Sequence, residues 1–109
     1  MSAITTHVLD IARGRPAAGI VVRLEREGST LAEGITDSDG RVAALLPAGH
    51  QLDAGAYRLI FHTDEFFRAA GMDTFYPEVV VTFVVRDPRE HHHVPLLLAP
   101  FGYTTYRGS

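Results

Sequence analysis

Apolar residues recur along the chain mostly at every second position, in short runs cut by turn-forming residues, a period that belongs to strands. Ile4 to Asp10 alternates and stops at Arg13-Gly14-Arg15-Pro16, a cluster unsuited to a regular ladder and expected to be a loop. From Ile20 to Glu27, Ile20, Val22 and Leu24 share one face and Arg23 and Glu25 the other, so one side of this strand is wet. A turn at Gly28 leads to a short strand over Leu31 to Thr36, and Asp37-Ser38-Asp39-Gly40 turns the chain into another over Arg41 to Leu46. Pro47 to Gly55 reads as irregular.

Ala56 to His62 alternates again, with Tyr57, Leu59 and Phe61 together. The period then changes. Thr63 or Asp64 is placed to cap a short helix whose apolar side is Phe66, Phe67 and Ala70, and Gly71 suits a left-handed stop. Val79 to Arg86 is so rich in valine that burial on both faces is expected. Asp87-Pro88-Arg89-Glu90 turns into His91 to Leu98, and Ala99-Pro100-Phe101-Gly102 into Tyr103 to Arg107. The sum is an all-β antiparallel sandwich of about eight strands with one short helix, a single domain over residues 1–109 without repeat or linker.

Composition narrows the function classes. With 109 residues, 46% hydrophobic and 21% charged, the chain can bury one core but cannot hold two catalytic domains. Ten basic residues, every one an arginine, against 13 acidic ones leave a net charge of −3, so no global field recruits nucleic acid or an anionic membrane. Without lysine there is no Schiff base and no Walker-type phosphate loop, and without cysteine no disulfide, thiolate nucleophile or cysteine-ligated metal. The start MSAITTHVLD lacks a basic, apolar leader, and no stretch approaches the roughly 20 apolar residues of a membrane span, so a soluble, cytoplasmic protein is expected.

The candidate chemistry lies in His91-His92-His93-Val94-Pro95-Leu96-Leu97-Leu98. Strand alternation puts His92, Val94, Leu96 and Leu98 on the core side and His91, His93, Pro95 and Leu97 on the other. Two imidazoles beside an outward leucine suit a subunit interface better than open water. The first strand is similar: Thr5, His7, Leu9 and Ile11 oppose Ile4, Thr6 and Val8. Simpler readings exist for each residue. His7 alone would be a hydrogen-bonded structural histidine, Arg41 a solvated side chain beside a turn, and Tyr106-Arg107-Gly108-Ser109 a frayed tail. An i, i+2 histidine pair can bind zinc, but three or four ligands are needed and local spacing implies no third, so no metal and no cofactor are expected.

Four blocks in order resemble one family: Thr6-His7-Val8-Leu9-Asp10, Asp37-Ser38-Asp39-Gly40-Arg41, the histidine segment with Val94-Pro95-Leu96-Leu97-Leu98, and Tyr103-Thr104-Thr105-Tyr106-Arg107-Gly108-Ser109. They resemble the 5-hydroxyisourate hydrolases, transthyretin-related enzymes of urate breakdown, and the resemblance covers essentially the whole chain. Tyr57-Arg58-Leu59-Ile60-Phe61 and Phe75-Tyr76-Pro77-Glu78 also look like the family. What it implies is a transthyretin-like sandwich, dimers paired edge to edge, a homotetramer built as a dimer of dimers, and active sites at the dimer–dimer interface. The family's functional positions fall on His7, Arg41, His93 and Ser109, with Tyr106 and Arg107 in the same substrate-binding tail. His92 departs from the tyrosine usual there, but alternation points it away from His93.

The implied chemistry suits these side chains. Hydrolysing the ring amide of 5-hydroxyisourate needs a base for water, a proton donor and a fixed cation. Imidazoles supply the first two near neutral pH, and an arginine fork holds a planar, oxygen-rich ligand. Water attack would then open the ring to 2-oxo-4-hydroxy-4-carboxy-5-ureidoimidazoline. His7 is favoured as base or water orienter and His93 as its charged or donating partner, with the choice open. The alternative is a transthyretin-like carrier of a small apolar molecule, which needs a wider and less polar channel.

Overall fold

Every second residue of the strand Ile4–Asp10 is buried: Ile4, Thr6, Val8 and Asp10 turn inward while Thr5, His7 and Leu9 turn outward. This β1 belongs to a computed structural model that describes residues 3–109. Met1 and Ser2, the start of the amino-terminal stretch read above, lie outside the described residues. Among the described residues the remaining strands are β2 (Arg15–Pro16), β3 (Val21–Arg26), β4 (Ser29–Ile35), β5 (Gly55–Phe61), β6 (Val79–Val85), β7 (His92–Ala99) and β8 (Gly102–Thr105), with helix α1 (Thr63–Ala69) after β5. They form two four-stranded sheets, ordered β2-β1-β7-β8 and β4-β3-β5-β6.

The sheets enclose one core, to which the first contributes Ile4, Val8, Leu96 and Leu98 and the second Val22, Leu24, Leu59 and Phe61. Each such side chain, once fully buried, contributes about 1.5–3 kcal/mol. The alternation read from the sequence therefore assigns the faces correctly for β3, β5 and β7, and for β1, where apolar groups stand on both faces, the structure turns Ile4, Thr6 and Val8 inward. The pairings are antiparallel but for one: β1 and β7 run parallel, in register from Ile4 opposite His92 to Asp10 opposite Leu98.

Four local expectations are corrected. The Arg13 to Pro16 loop contains the two-residue edge strand β2, which pairs with Leu9 and Asp10 across a turn that Gly14 closes at φ 71°. Buried Asp10 holds that turn by accepting from the N–H groups of Ala12 and Arg13 and from Arg13 Nε at 2.8 Å. Arg41 to Leu46 is not a strand. Its buried residues, Val42, Leu45 and Leu46, recur at spacings of three and one, so the segment rolls over the end of the core in turns, and only Arg41 pairs, as an isolated bridge to His7.

The helix is not capped by Thr63 or Asp64. His62 is its N-cap without a side-chain bond, Thr63 donates to the Tyr76 carbonyl instead, and Asp64 pairs with Arg68 one turn on. Buried Phe67 and partly buried Phe66 pin it to the core, Ala70 is exposed, and Gly71 ends it at φ 71°. β6 is buried on one face only. Val79, Val81 and Val85 point in, whereas Thr82 and Val84 are exposed because β6 is the edge of its sheet. No helix is long and apolar enough to cross a membrane among the described residues.

Candidate active site

The outward face of the first sheet places four strips of backbone side by side. Arg41 bridges to His7 on one edge of β1, β7 lies along the other edge, and Gly108 bridges to His93 beyond it. Two rows of side chains result: Arg41, His7 and Pro95 in one, Thr5, His93 and Gly108 in the next. Neighbouring strips of a sheet lie about 4.8 Å apart, so groups distant in sequence meet within one small molecule's width.

Asp37 builds the turn that presents Arg41. Its carboxylate accepts from the N–H groups of Asp39 at 2.9 Å and Arg41 at 3.1 Å, and its own N–H donates to the Arg41 carbonyl at 2.8 Å. Gly40 lets this turn close on β1: its carbonyl accepts from Val8 N–H at 2.8 Å, its φ is 77°, and a Cβ there would collide with the Val8 carbonyl oxygen.

Around an open hollow of about 510 Å³ stand Thr5, Asp37, Arg41, His91, His93 and Ser109. His7 is beside Arg41 on the same face but outside this wall. Burial pushes the His93 imidazole below its ordinary pKa, and the Arg41 charge, with any carried by His91 and His7, pushes the same way, against a backbone hydrogen bond with Thr5. Neutral His93 is therefore the favoured form, which suits a group that must accept or donate a proton near neutral pH. Thr5 Oγ1 lies 2.8 Å from His93 Nδ1 and 2.9 Å from His91 Nε2.

Three of the four expected catalytic residues, Arg41, His93 and Ser109, thus line one hollow, with His7 adjoining. Tyr106 and Arg107 are placed elsewhere. They line a second hollow of about 270 Å³ between β6 and the start of β7, where the chain also places His92 and His93. The Arg107 guanidinium donates to the His91 carbonyl at 3.3 Å and lies 3.8 Å from the Glu90 carboxylate. His92 points into the core side as alternation requires, and its buried Nδ1 has no hydrogen-bond partner among the described residues. Sequence reasoning did not single out Thr5 or its contacts with His91 and His93. The available signal was that Thr5 shares the His7 face two residues earlier, but its pairing with His93 depends on the parallel register.

The sequence model of the HIUase/Transthyretin family matches residues 4–108. The chain belongs to this family. Within the HIUase/Transthyretin family, it is 48% identical over 117 residues to a 5-hydroxyisourate hydrolase of Caulobacter vibrioides, with both chains covered completely. The structure of Klebsiella pneumoniae 5-hydroxyisourate hydrolase superposes with a TM-score of 0.87 at 42% identity, over 97% of this chain and 92% of that one. Sea bream transthyretin in complex with thyroxine superposes equally well, with a TM-score of 0.89, over 97% and 94% of the two chains, but at only 28% identity. The fold is common to both branches, and sequence similarity leans to the hydrolases.

Proposed function

We propose that the protein hydrolyses 5-hydroxyisourate to 2-oxo-4-hydroxy-4-carboxy-5-ureidoimidazoline, a step of urate degradation. The observation that carries this reading is the convergence of Arg41, His93 and Ser109 on one hollow beside His7. Arg41 binds the planar substrate through its fork of N–H donors, His7 takes a proton from the attacking water, and His93 donates to the ring nitrogen that departs. Ser109 contacts the ligand as the family pattern implies. Tyr106 and Arg107 line the second hollow on the other side of His93 and take no direct part in this scheme, and no metal or cofactor takes part.

The hollow is open on one side, and the same face carries partly buried Leu9 and Leu97. A homotetramer, two edge-paired dimers back to back, would cover that face and close the site from the neighbouring subunit. The protein acts in the cytoplasm on this reading. The imidazole, guanidinium, carboxylate and hydroxyl groups that stand in the hollow beside Val42 and Ala43 favour a polar ligand over the apolar cargo of a carrier.

Purified protein added to freshly generated 5-hydroxyisourate should accelerate the loss of its ultraviolet absorbance well above the spontaneous rate. A decay unchanged by protein would overturn the reading, and tight binding of a thyroxine-like ligand without turnover would install the carrier instead.

A further inference from the structure

Thr5 Oγ1 sits between two imidazoles, 2.9 Å from His91 Nε2 and 2.8 Å from His93 Nδ1. A threonine hydroxyl has one proton, so it donates to one ring and accepts an N–H from the other. The two rings therefore cannot choose their tautomers independently. Their centroids are 6.5 Å apart and their planes within 19° of parallel, which leaves the hydroxyl as the link between them. One end of this chain is wetter than the other: His91 is exposed, whereas His93 is half-buried in the hollow. The in-register pairing of Thr5 with His93 holds the hydroxyl in place.

We propose that Thr5 and His91 are positioning residues that conduct protons between solvent and His93 during the hydrolysis assigned above, on which this inference rests. With Nδ1 engaged by Thr5, Nε2 is the His93 nitrogen left to work in the hollow. When it gives its proton to the departing ring nitrogen, the Thr5 hydroxyl proton moves to His93 Nδ1. The His91 Nε2 proton then moves to Thr5 Oγ1, and water protonates His91. The return shift, in which His93 Nε2 takes up the proton that His7 removed from the attacking water, releases a proton from His91 to solvent. No electron changes hands and every ring regains its starting form. The charged and titratable groups around His93 are His7 from β1, Arg41 and Asp37 from the turn, His91 at the head of its own strand, and His92, Tyr106 and Arg107 around the second hollow. Among them His91 alone is joined to it through a hydroxyl.

The test uses the full chain and the absorbance assay, reading kcat and KM separately for Thr5→Val, Thr5→Ser and His91→Ala. Thr5→Val keeps the β-branched shape and removes the hydroxyl. It should lower kcat about tenfold or more, without exceeding the roughly 10²–10⁴-fold that a whole acid–base group supplies, with KM unchanged, and Thr5→Ser should restore the rate. His91→Ala, at an exposed position, should lose kcat similarly and regain it in imidazole buffer, whereas Thr5→Val should not respond to imidazole. Unchanged kcat in Thr5→Val, or a His91→Ala defect indifferent to imidazole, would overturn the proton path while leaving the hydrolase reading intact. A wild-type chain that does not open the ring would instead remove the reading and the catalytic use of the path together.

Discussion

Gly108 lies directly against the ring of His93. Its N–H donates to the His93 carbonyl at 2.8 Å, and a Cβ built on it would stand 2.5 Å from His93 Cδ2, closer than real carbon atoms approach. The tail is thus a wall for that imidazole, and any residue but glycine would push on it. A chain ending at Thr105 loses this wall together with Ser109, so ring opening should be abolished and the contact between dimers weakened. Rate and molecular mass in solution decide the matter: full activity in the truncated chain would return the tail to the status of frayed solvent-side residues.

His7→Ala and His93→Ala should each remove most of the acceleration, on the order of 10²–10⁴-fold, while the protein stays folded. Both side chains lie on the outward face, so the core between the sheets keeps its packing. Circular dichroism checks the fold and the absorbance assay the rate. Near-wild-type turnover in both variants would show that these imidazoles are structural.

Gly40→Ala should damage the site through the backbone. Its φ of 77° costs a non-glycine residue about 1–3 kcal/mol, and the added Cβ meets the Val8 carbonyl oxygen, which cannot swing away as a side chain can. The turn that presents Arg41 must open, so a lower melting temperature and a raised KM are expected. Gly14→Ala, with a similar φ of 71° but open space at its Cβ, should lose stability without the KM effect.

Acid should destabilise the protein through His92 and His93. Burial lowers both pKa values, seconded by Arg107 for His92 and by Arg41 for His93. The folded chain then binds fewer protons than the unfolded one. Stability is unaffected above the ordinary imidazole value of about 6.5 and declines as pH falls from there toward the folded values. His92→Phe removes one contributor, so its melting temperature should drop less than the wild type's between about pH 8 and pH 5.5. An equal drop in both proteins would assign the acid sensitivity elsewhere.

What the sequence conveys and what it withholds follow from the range of each interaction. Strand faces, the Asp37 turn and the Gly71 stop are local, and a two-residue period or one turn residue announces them. Arg41 to Leu46 looked like a strand because its residues suit one, but Val42, Leu45 and Leu46 reach the core from a turning backbone whose path the rest of the core decides. The valines of β6 do not say whether a neighbour covers them, and at a sheet edge Val84 stays open. A candidate set of residues was legible through family likeness, of which Arg41, His93 and Ser109 share one hollow. Its layout was not, because the Thr5–His93 contact exists only in the parallel register of two strands, and nothing near either residue encodes that register.

The parallel pairing of β1 with β7 also has a meaning in time. Thr5 and His93 are separated by 88 positions, and at about 5–20 residues per second a ribosome needs roughly 4–18 s to make the stretch between them. Throughout that interval the first strand has one hydrogen-bonding edge lacking its eventual neighbour. The nascent protein must wait for one of its last strands before that edge is shielded, so variants that slow synthesis should lower yield in cells through edge-to-edge sticking without altering the finished molecule.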